Sequence, residues 1–216
     1  MKMGIKEVWL MNKDKIIRTF DKQAKTYEKR RRIRSERKWR ERLLSSTRGQ
    51  VLEVGVGAGA NFHYYTKGSK VTGVDFSEEM LKKAQEAAIE EGIEAEFILS
   101  DVESFSFEDN SFDTVISTLS LCGYENPTKV LNSFNKWCKP DGKILLLEHG
   151  KSSNTIIGYI QTMLNPLNRK FVGCELNRDM LHILENSNIH IERMEHYMTG
   201  MVHLVWAKPN KRTLIQ

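Results

Sequence analysis

The stretch VLEVGVGAGANF, residues 51–62, limits what this chain can fold into more than any other. An apolar run of strand length ends in Gly55, Gly57 and Gly59, one glycine at every second position. Glycine tolerates the backbone of a tight turn and lets the main chain approach a ligand closely. Several nucleotide-binding folds place such a turn after a strand, so the ligand class stays open at this point. The dinucleotide fingerprint is G-x-G-x-x-G, and here the third glycine falls one place early.

The rest of the chain alternates strands with helices. QVLEVGV, KVTGVDF, AEFILS, DTVISTLSL and KILLLEHG read as strands one to five. A short helix is expected from about Asn61. A second is capped by Ser77 and stops at Gly92, with Met80, Leu81, Ala84, Ala87 and Ala88 on one face. A third starts at Pro127, and KPDG makes the turn into strand five. Residues 151–178 break the rhythm and read as an insertion with a short helix from Ile156 to Leu164. A helix from Asp179 to Asn186 leads to HIERMEHYM and MVHLVWAKP, separated only by Thr199 and Gly200, an antiparallel hairpin. Residues 14–44 read as one or two helices, with Phe20, Ala24 and Tyr27 on one face. The expectation is a mostly parallel sheet of about seven strands covered on both faces, with a frayed tail at 209–216.

No stretch approaches the ~20 apolar residues of a membrane span. The N-terminus has only a short apolar patch, Val8 to Met11, without a signal peptide's features. Cys122, Cys138 and Cys174 are an odd number, which suits a reduced, cytoplasmic setting. Neither they nor the six histidines show metal-ligand spacing, so no metal is expected. Charge is concentrated in residues 29–42, where nine Lys or Arg against two Glu exceed the whole chain's net +5. That stretch is either a solvated helix face partly paired to Glu36 and Glu41, or a phosphate contact on nucleic acid or a peripheral membrane surface.

Ligands of a parallel sheet sit beyond the carboxyl ends of its strands. Glu53 precedes the glycine loop and suits a positively charged ligand better than a pyrophosphate; alternatively it bonds the loop's own amides. Asp75 follows strand two, twenty residues past Gly55, where a carboxylate can accept from two ribose hydroxyls or cap the next helix. Phe76 can cover an adenine face. After strand three, Asp101 can accept from an adenine amino group while the Val102 amide donates to the ring; otherwise Asp101 forms a turn.

Glu53, Gly55, Gly57, Gly59, Asp75, Asp101 and the FDTVIS strand together resemble the class I S-adenosylmethionine-dependent methyltransferases. The resemblance covers residues 20 to about 208. It implies a three-layer Rossmann-like α/β sandwich and S-adenosyl-L-methionine as cofactor. Glu53 and the glycine loop would surround the methionine part, Asp75 the ribose and Asp101 the adenine. Ser117 belongs to the strand-four end near the methyl group. Residues 1–44, with Tyr27, resemble the helical segment that closes over the cofactor, and residues 45–208 the catalytic domain. STLSLCGY, LLLEHG and NRKFVGCELNRD are similar to the branch holding the animal alkyl-thiol methyltransferases; ubiquinone/menaquinone and phosphatidylethanolamine methyltransferases are looser relatives.

The resemblance implies methyl transfer to a small-molecule or lipid acceptor, whether thiol, amine, hydroxyl or quinol. The alternatives are an RNA or protein methyltransferase using the basic helix, and a cofactor-binding protein without transferase activity. His149, ending strand five, is a base or substrate orienter, or else a structural tie to the 151–178 cap. Leu121 and Cys122 are expected to line the substrate pocket. Arg178 holds an acidic substrate group, or pairs with Glu175 or Asp179.

Overall fold

The computed structural model describes residues 5–34 and 36–211, with side chains from residue 14 onward; the side chains of the Val8 to Met11 patch and residues 212–216 of the expected tail lie outside those limits. Six helices are described in chain order: α1 (Ile5–Arg32), α2 (Arg37–Leu44), α3 (Glu78–Glu91), α4 (Pro127–Trp137), α5 (Thr155–Phe171) and α6 (Met180–Glu185). The strands are β1 (Gln50–Val54), β2 (Lys70–Asp75), β3 (Glu94–Leu99), β4 (Phe112–Thr118), β5 (Cys138–His149), β6 (Ile189–Tyr197) and β7 (Val202–Pro209).

These strands form one sheet in the order β3-β2-β1-β4-β5-β7-β6. The first five run parallel, and β7 pairs antiparallel with both β5 and β6. This is a Rossmann-like arrangement. Strand alternation sends successive side chains to opposite faces. Val51, Ile116 and Leu145 therefore join the core under α2 and α3, while Leu52, Val115, Ile144 and Leu146 join the one under α4 and α6. The chain reverses its direction of progress between β1 and β4, where the loops diverge and leave a crevice.

Local chemistry sets the helix ends. Ser77 accepts from the Met80 amide at 3.2 Å, and Gly92 closes α3 with φ 65°. Asn126 caps α4, with Pro127 in its first turn.

Four expectations need correction. Strand four stops at Thr118, because Leu119 turns out of it with φ 55°; Leu121–Gly123 then form a 3-10 turn. KPDG is taken into the β5 edge as an irregularity, between the pairs Phe112–Cys138 and Thr114–Lys143. The cap helix is α5, which runs on through Pro166 to Phe171. It exposes Ile156, Tyr159, Ile160, Met163, Leu167 and Phe171 along one stripe. Finally, the tail begins later than residue 209: Pro209 ends β7, and Asn210 and Lys211 are tied to Asn135.

In the basic stretch, Arg31 and Arg32 pair with Glu90, Arg30 and Arg40 with Glu36, Arg37 with Glu41 and Arg42 with Glu195. No helix among the described residues is long and apolar enough to cross a membrane.

Candidate functional site

A cavity of about 310 Å3 opens over the carboxyl ends of β1, β2, β4 and β5. A second, of about 290 Å3, adjoins it and shares Phe76, Cys122, Gly123 and Tyr124. Helix α1 roofs both. Phe20 stands edge-on to Phe76 with ring centroids 5.3 Å apart, and Asp21 accepts from the Ser77 hydroxyl at 2.5 Å. Ala24 is buried against Ala58 and Met80. The cap meets this roof: Gln23 donates to the Phe171 and Val172 carbonyls, and Gly173 lies against Phe20.

Gly55, Gly57 and Gly59 all have positive φ. At Gly55 an added Cβ would stand 2.5 Å from Ser120 Cβ, so glycine lets the β1 and β4 loops meet. At Gly57 it would meet nothing within 4 Å, which leaves that backbone open to the cavity. The loop is held from below: Asp75 accepts from the Gly57 amide and the Ser77 amide, each at 2.9 Å. Gly59 packs on Ala87 and Phe62 and does not line the large cavity.

Glu53 is almost fully buried and accepts from Asn61 Nδ2 at 2.7 Å and from the Tyr65 hydroxyl. Sequence reasoning missed its third neighbour, Arg40. That guanidinium is buried, donates to Asn61 Oδ1 and to Thr118 Oγ1, and lines the cavity. Its Nε has no hydrogen-bond partner, an unmatched donor that suits an anionic ligand group. The cavity is lined by four arginines, Arg30, Arg31, Arg34 and Arg40, and three carboxylates, Glu36, Glu53 and Asp75, of which Arg40, Glu53 and Asp75 are buried. With the open Gly57 backbone and the Phe20 and Phe76 rings, this set fits a ligand that carries both signs of charge, a sugar and a flat base.

The other expected residues are placed as follows. Tyr27 and Phe76 line the large cavity, and burial pushes the Tyr27 phenol up to about 12. Asp101 lines the second cavity and accepts from the Glu103 amide at 3.0 Å. Val102, Ser117 and Leu121 are buried outside both linings; Leu119 and Ser120 line the large cavity instead. Ser117 donates to Glu148 at 2.5 Å. Glu148, also missed from sequence, accepts from the Ser120 and Leu121 amides and so holds the 3-10 turn in place; burial pushes its carboxyl up to about 7. Arg178 pairs with Glu175 at 3.7 Å and donates to the Cys122 and Tyr124 carbonyls.

Cys122 lies in the 3-10 turn after β4, His149 ends β5, and Cys174 follows α5. Their donor atoms lie within 4.8 Å of one another on the cavity wall. Spacing along the chain hid this cluster, and the expectation of no metal rested on that spacing. Burial lowers the His149 pKa, but the bond to Cys174 and the nearby Glu148 carboxylate outweigh it, and the net shift is upward. Cys174 is shifted down because Cys122 and His149 both favour its thiolate, although burial opposes this.

Burial raises the Asp75 carboxyl from 3.8 to about 6 and that of Glu53 from 4.5 to about 7. A carboxyl whose folded pKa is raised contributes stability that is present below its unfolded pKa and lost as pH rises through the folded value. The empty protein is therefore expected to lose stability between about pH 4 and pH 7 on account of these two groups. Ribose hydroxyls and a positive ligand both favour the ionised carboxylates, so binding should release protons and weaken as pH falls through 7 and 6. Titration calorimetry in two buffers of different ionisation enthalpy checks this near pH 6.5. Equal heats in the two buffers would contradict it.

A family model described as a methyltransferase domain matches residues 52–146. Methyltransferase OMS1, mitochondrial, of Saccharomyces cerevisiae is 29% identical over 88% of this chain and 44% of its own length. Thiol S-methyltransferase TMT1B of Rattus norvegicus is 31% identical over 80% of this chain and 73% of its own. The chain spans about half the length of two of the curated relatives it matches, the yeast protein among them. Among solved structures, an S-adenosylmethionine-dependent methyltransferase from Aquifex aeolicus superposes with a TM-score of 0.62 at 19% identity, covering 88% of this chain and 98% of that one. That likeness is one of fold.

Proposed function

Because the chain belongs to the class I S-adenosylmethionine-dependent methyltransferases, we propose that it moves a methyl group from S-adenosylmethionine to a small-molecule or lipid acceptor, a thiol first among them. One observation carries the reading: the glycine loop, Glu53 and Asp75 share a single cavity with Cys122, His149 and Cys174. Donor and acceptor sides thus face each other without an intervening wall.

The bound cofactor supplies a methyl group on a sulfonium centre whose leaving group is already activated. The protein's task is therefore alignment and exclusion of water. Asp75 holds the ribose hydroxyls, Phe76 and Asp101 lie on the adenine side, and Glu53 opposes the positive charge. Phe20 and Tyr27 close the roof. His149 Nε2 and Cys174 Sγ stand 3.9 Å apart at the wall where a thiol or hydroxyl acceptor must lose a proton.

A thiol is favoured by the resemblance to a thiol S-methyltransferase and by the sulfur-lined wall. An apolar or lipid-borne acceptor is favoured by the exposed α5 stripe, which runs to the rim at Val172. Pairing of six arginines within residues 29–42 weighs against a polyanion such as RNA.

The test is incubation with methyl-labelled S-adenosylmethionine and a panel of alkyl thiols, amines, phenols, quinols and lipid vesicles. Labelled thioether is expected, with kcat/KM at least ~10-fold above the other small acceptors. Label transferred to RNA instead, with a steep loss on adding salt, would overturn the reading.

A further inference from the structure

We propose that Cys122, His149 and Cys174 form a zinc site with an open fourth position facing the cavity. The three donors come from the ends of β4 and β5 and from the loop after α5. One imidazole and two sulfurs are soft and borderline ligands that suit zinc over magnesium or calcium. In a tetrahedral site with zinc–sulfur bonds of ~2.3 Å, ligand atoms stand roughly 3.5–3.8 Å apart. Here all three pairs are within 4.8 Å, and Cys174 Sγ to His149 Nε2 is 3.9 Å, so a small inward shift completes the geometry.

The surroundings hold the donors in place. Asn168 Nδ2 donates to the Cys174 carbonyl at 2.7 Å and to its sulfur at 3.3 Å. The Glu175 amide donates to the Cys122 carbonyl at 3.3 Å, and Arg178 Nε donates to that same carbonyl. The loop carrying Cys174 is thereby clamped to the turn carrying Cys122. Amide donors to sulfur and fixed loops are what support a metal thiolate centre.

Three protein ligands with one vacant position are the pattern of a reactive rather than a structural zinc. All three residues line the large cavity, so the vacant position is reached from the acceptor side. A thiol entering there forms a zinc–sulfur bond and gives its proton to solvent, arriving as a bound thiolate. The metal site stands on its own geometry; the choice of a thiol as fourth ligand rests on the function proposed above.

Cobalt(II) titration of the reduced, metal-stripped protein is the test. Cobalt takes the same ligands and reports them: tetrahedral bands in the visible and a thiolate-to-cobalt charge-transfer band in the near ultraviolet. One equivalent is expected to bind, zinc should displace it, and an added alkyl thiol should strengthen the charge-transfer band. Cys174→Ser and His149→Gln should each weaken cobalt binding by more than the ~10–100-fold that loss of a supporting residue costs. Absence of thiolate bands, or bands unchanged in Cys174→Ser, overturns the site; so does a Cys122–Cys174 disulfide that forms in place of metal binding. A metal site that ignores added thiol removes the fourth-ligand assignment. S-adenosylmethionine binding, measured by calorimetry on the same samples, reports folding and separates failure of the metal site from failure of the methyl-transfer reading.

Discussion

Asp75→Ala is expected to weaken S-adenosylmethionine binding by at least ~100-fold, because two hydrogen bonds from ribose hydroxyls to a carboxylate are worth about 1.5–3 kcal/mol each. The same carboxylate also accepts from the Gly57 and Ser77 amides, so its loss unties the glycine loop from the start of α3. The effect on stability is smaller. Two amides lose a partner, but a buried carboxyl already raised to about 6 no longer has to be ionised at neutral pH. Asp75→Asn sharpens the point. An amide has one acceptor oxygen, so one of the two backbone donors would face an NH2 group. It should bind nearly as poorly as Asp75→Ala. Glu79→Ala, an exposed carboxylate four residues on, serves as control. Calorimetry decides: affinity within threefold of wild type for Asp75→Ala would remove Asp75 from the cofactor site.

That Glu53, Asp75, Gly55 and Gly57 would lie at one cavity was legible from sequence because strand ends were legible, whereas Gly59 packs on Ala87 and Phe62. A parallel sheet puts its ligands at one edge, and the β-strand pattern fixes which residues reach it. The helix-capping reading of Asp75 does not hold, since Ser77 is the N-cap of α3; Asp75 accepts from the Ser77 amide while lining the cavity. Arg40 and Glu148 were not legible. Arginine in a basic run reads as surface, and only the packing of α2 over the β4 end buries this one. The Glu148 side chain sits beneath the 3-10 turn, a feature that a period-two strand pattern ending at Leu121 conceals. The Cys122–His149–Cys174 cluster was hidden for a related reason: its members are 27 and 25 residues apart and meet only when the loop after α5 folds back. The full length of α5 was missed because its apolar residues face outward and its run contains Pro166.

Arg40→Leu is expected to destabilise the protein by about 3 kcal/mol and to weaken cofactor binding roughly tenfold at neutral pH. The first figure is at the low end for breaking a buried ion pair, because Glu36 keeps Arg30 as a partner at 2.7 Å. It corresponds to a Tm lower by roughly 6–12 °C in a chain of this size. Asn61 Oδ1 loses its donor, Thr118 Oγ1 keeps only Asn61 Nδ2, and the guanidinium is gone from the cavity wall. The second figure follows from Glu53. Burial already raises its carboxyl to about 7, and Arg40 is among the groups that hold it down. Without Arg40 the carboxyl is largely protonated at neutral pH and loses its attraction for a positive ligand. The sign of that shift sets the discriminating measurement. Raising the pH to about 8.5 ionises Glu53 again, so part of the lost affinity should return in Arg40→Leu, with little change in wild type. Arg40→Lys keeps the charge but not the forked donor, and should fall between. Lys38→Ala, exposed on the same helix, should change stability by less than ~0.5 kcal/mol. An affinity loss of equal size at both pH values would show that Arg40 acts only by holding α2 in place.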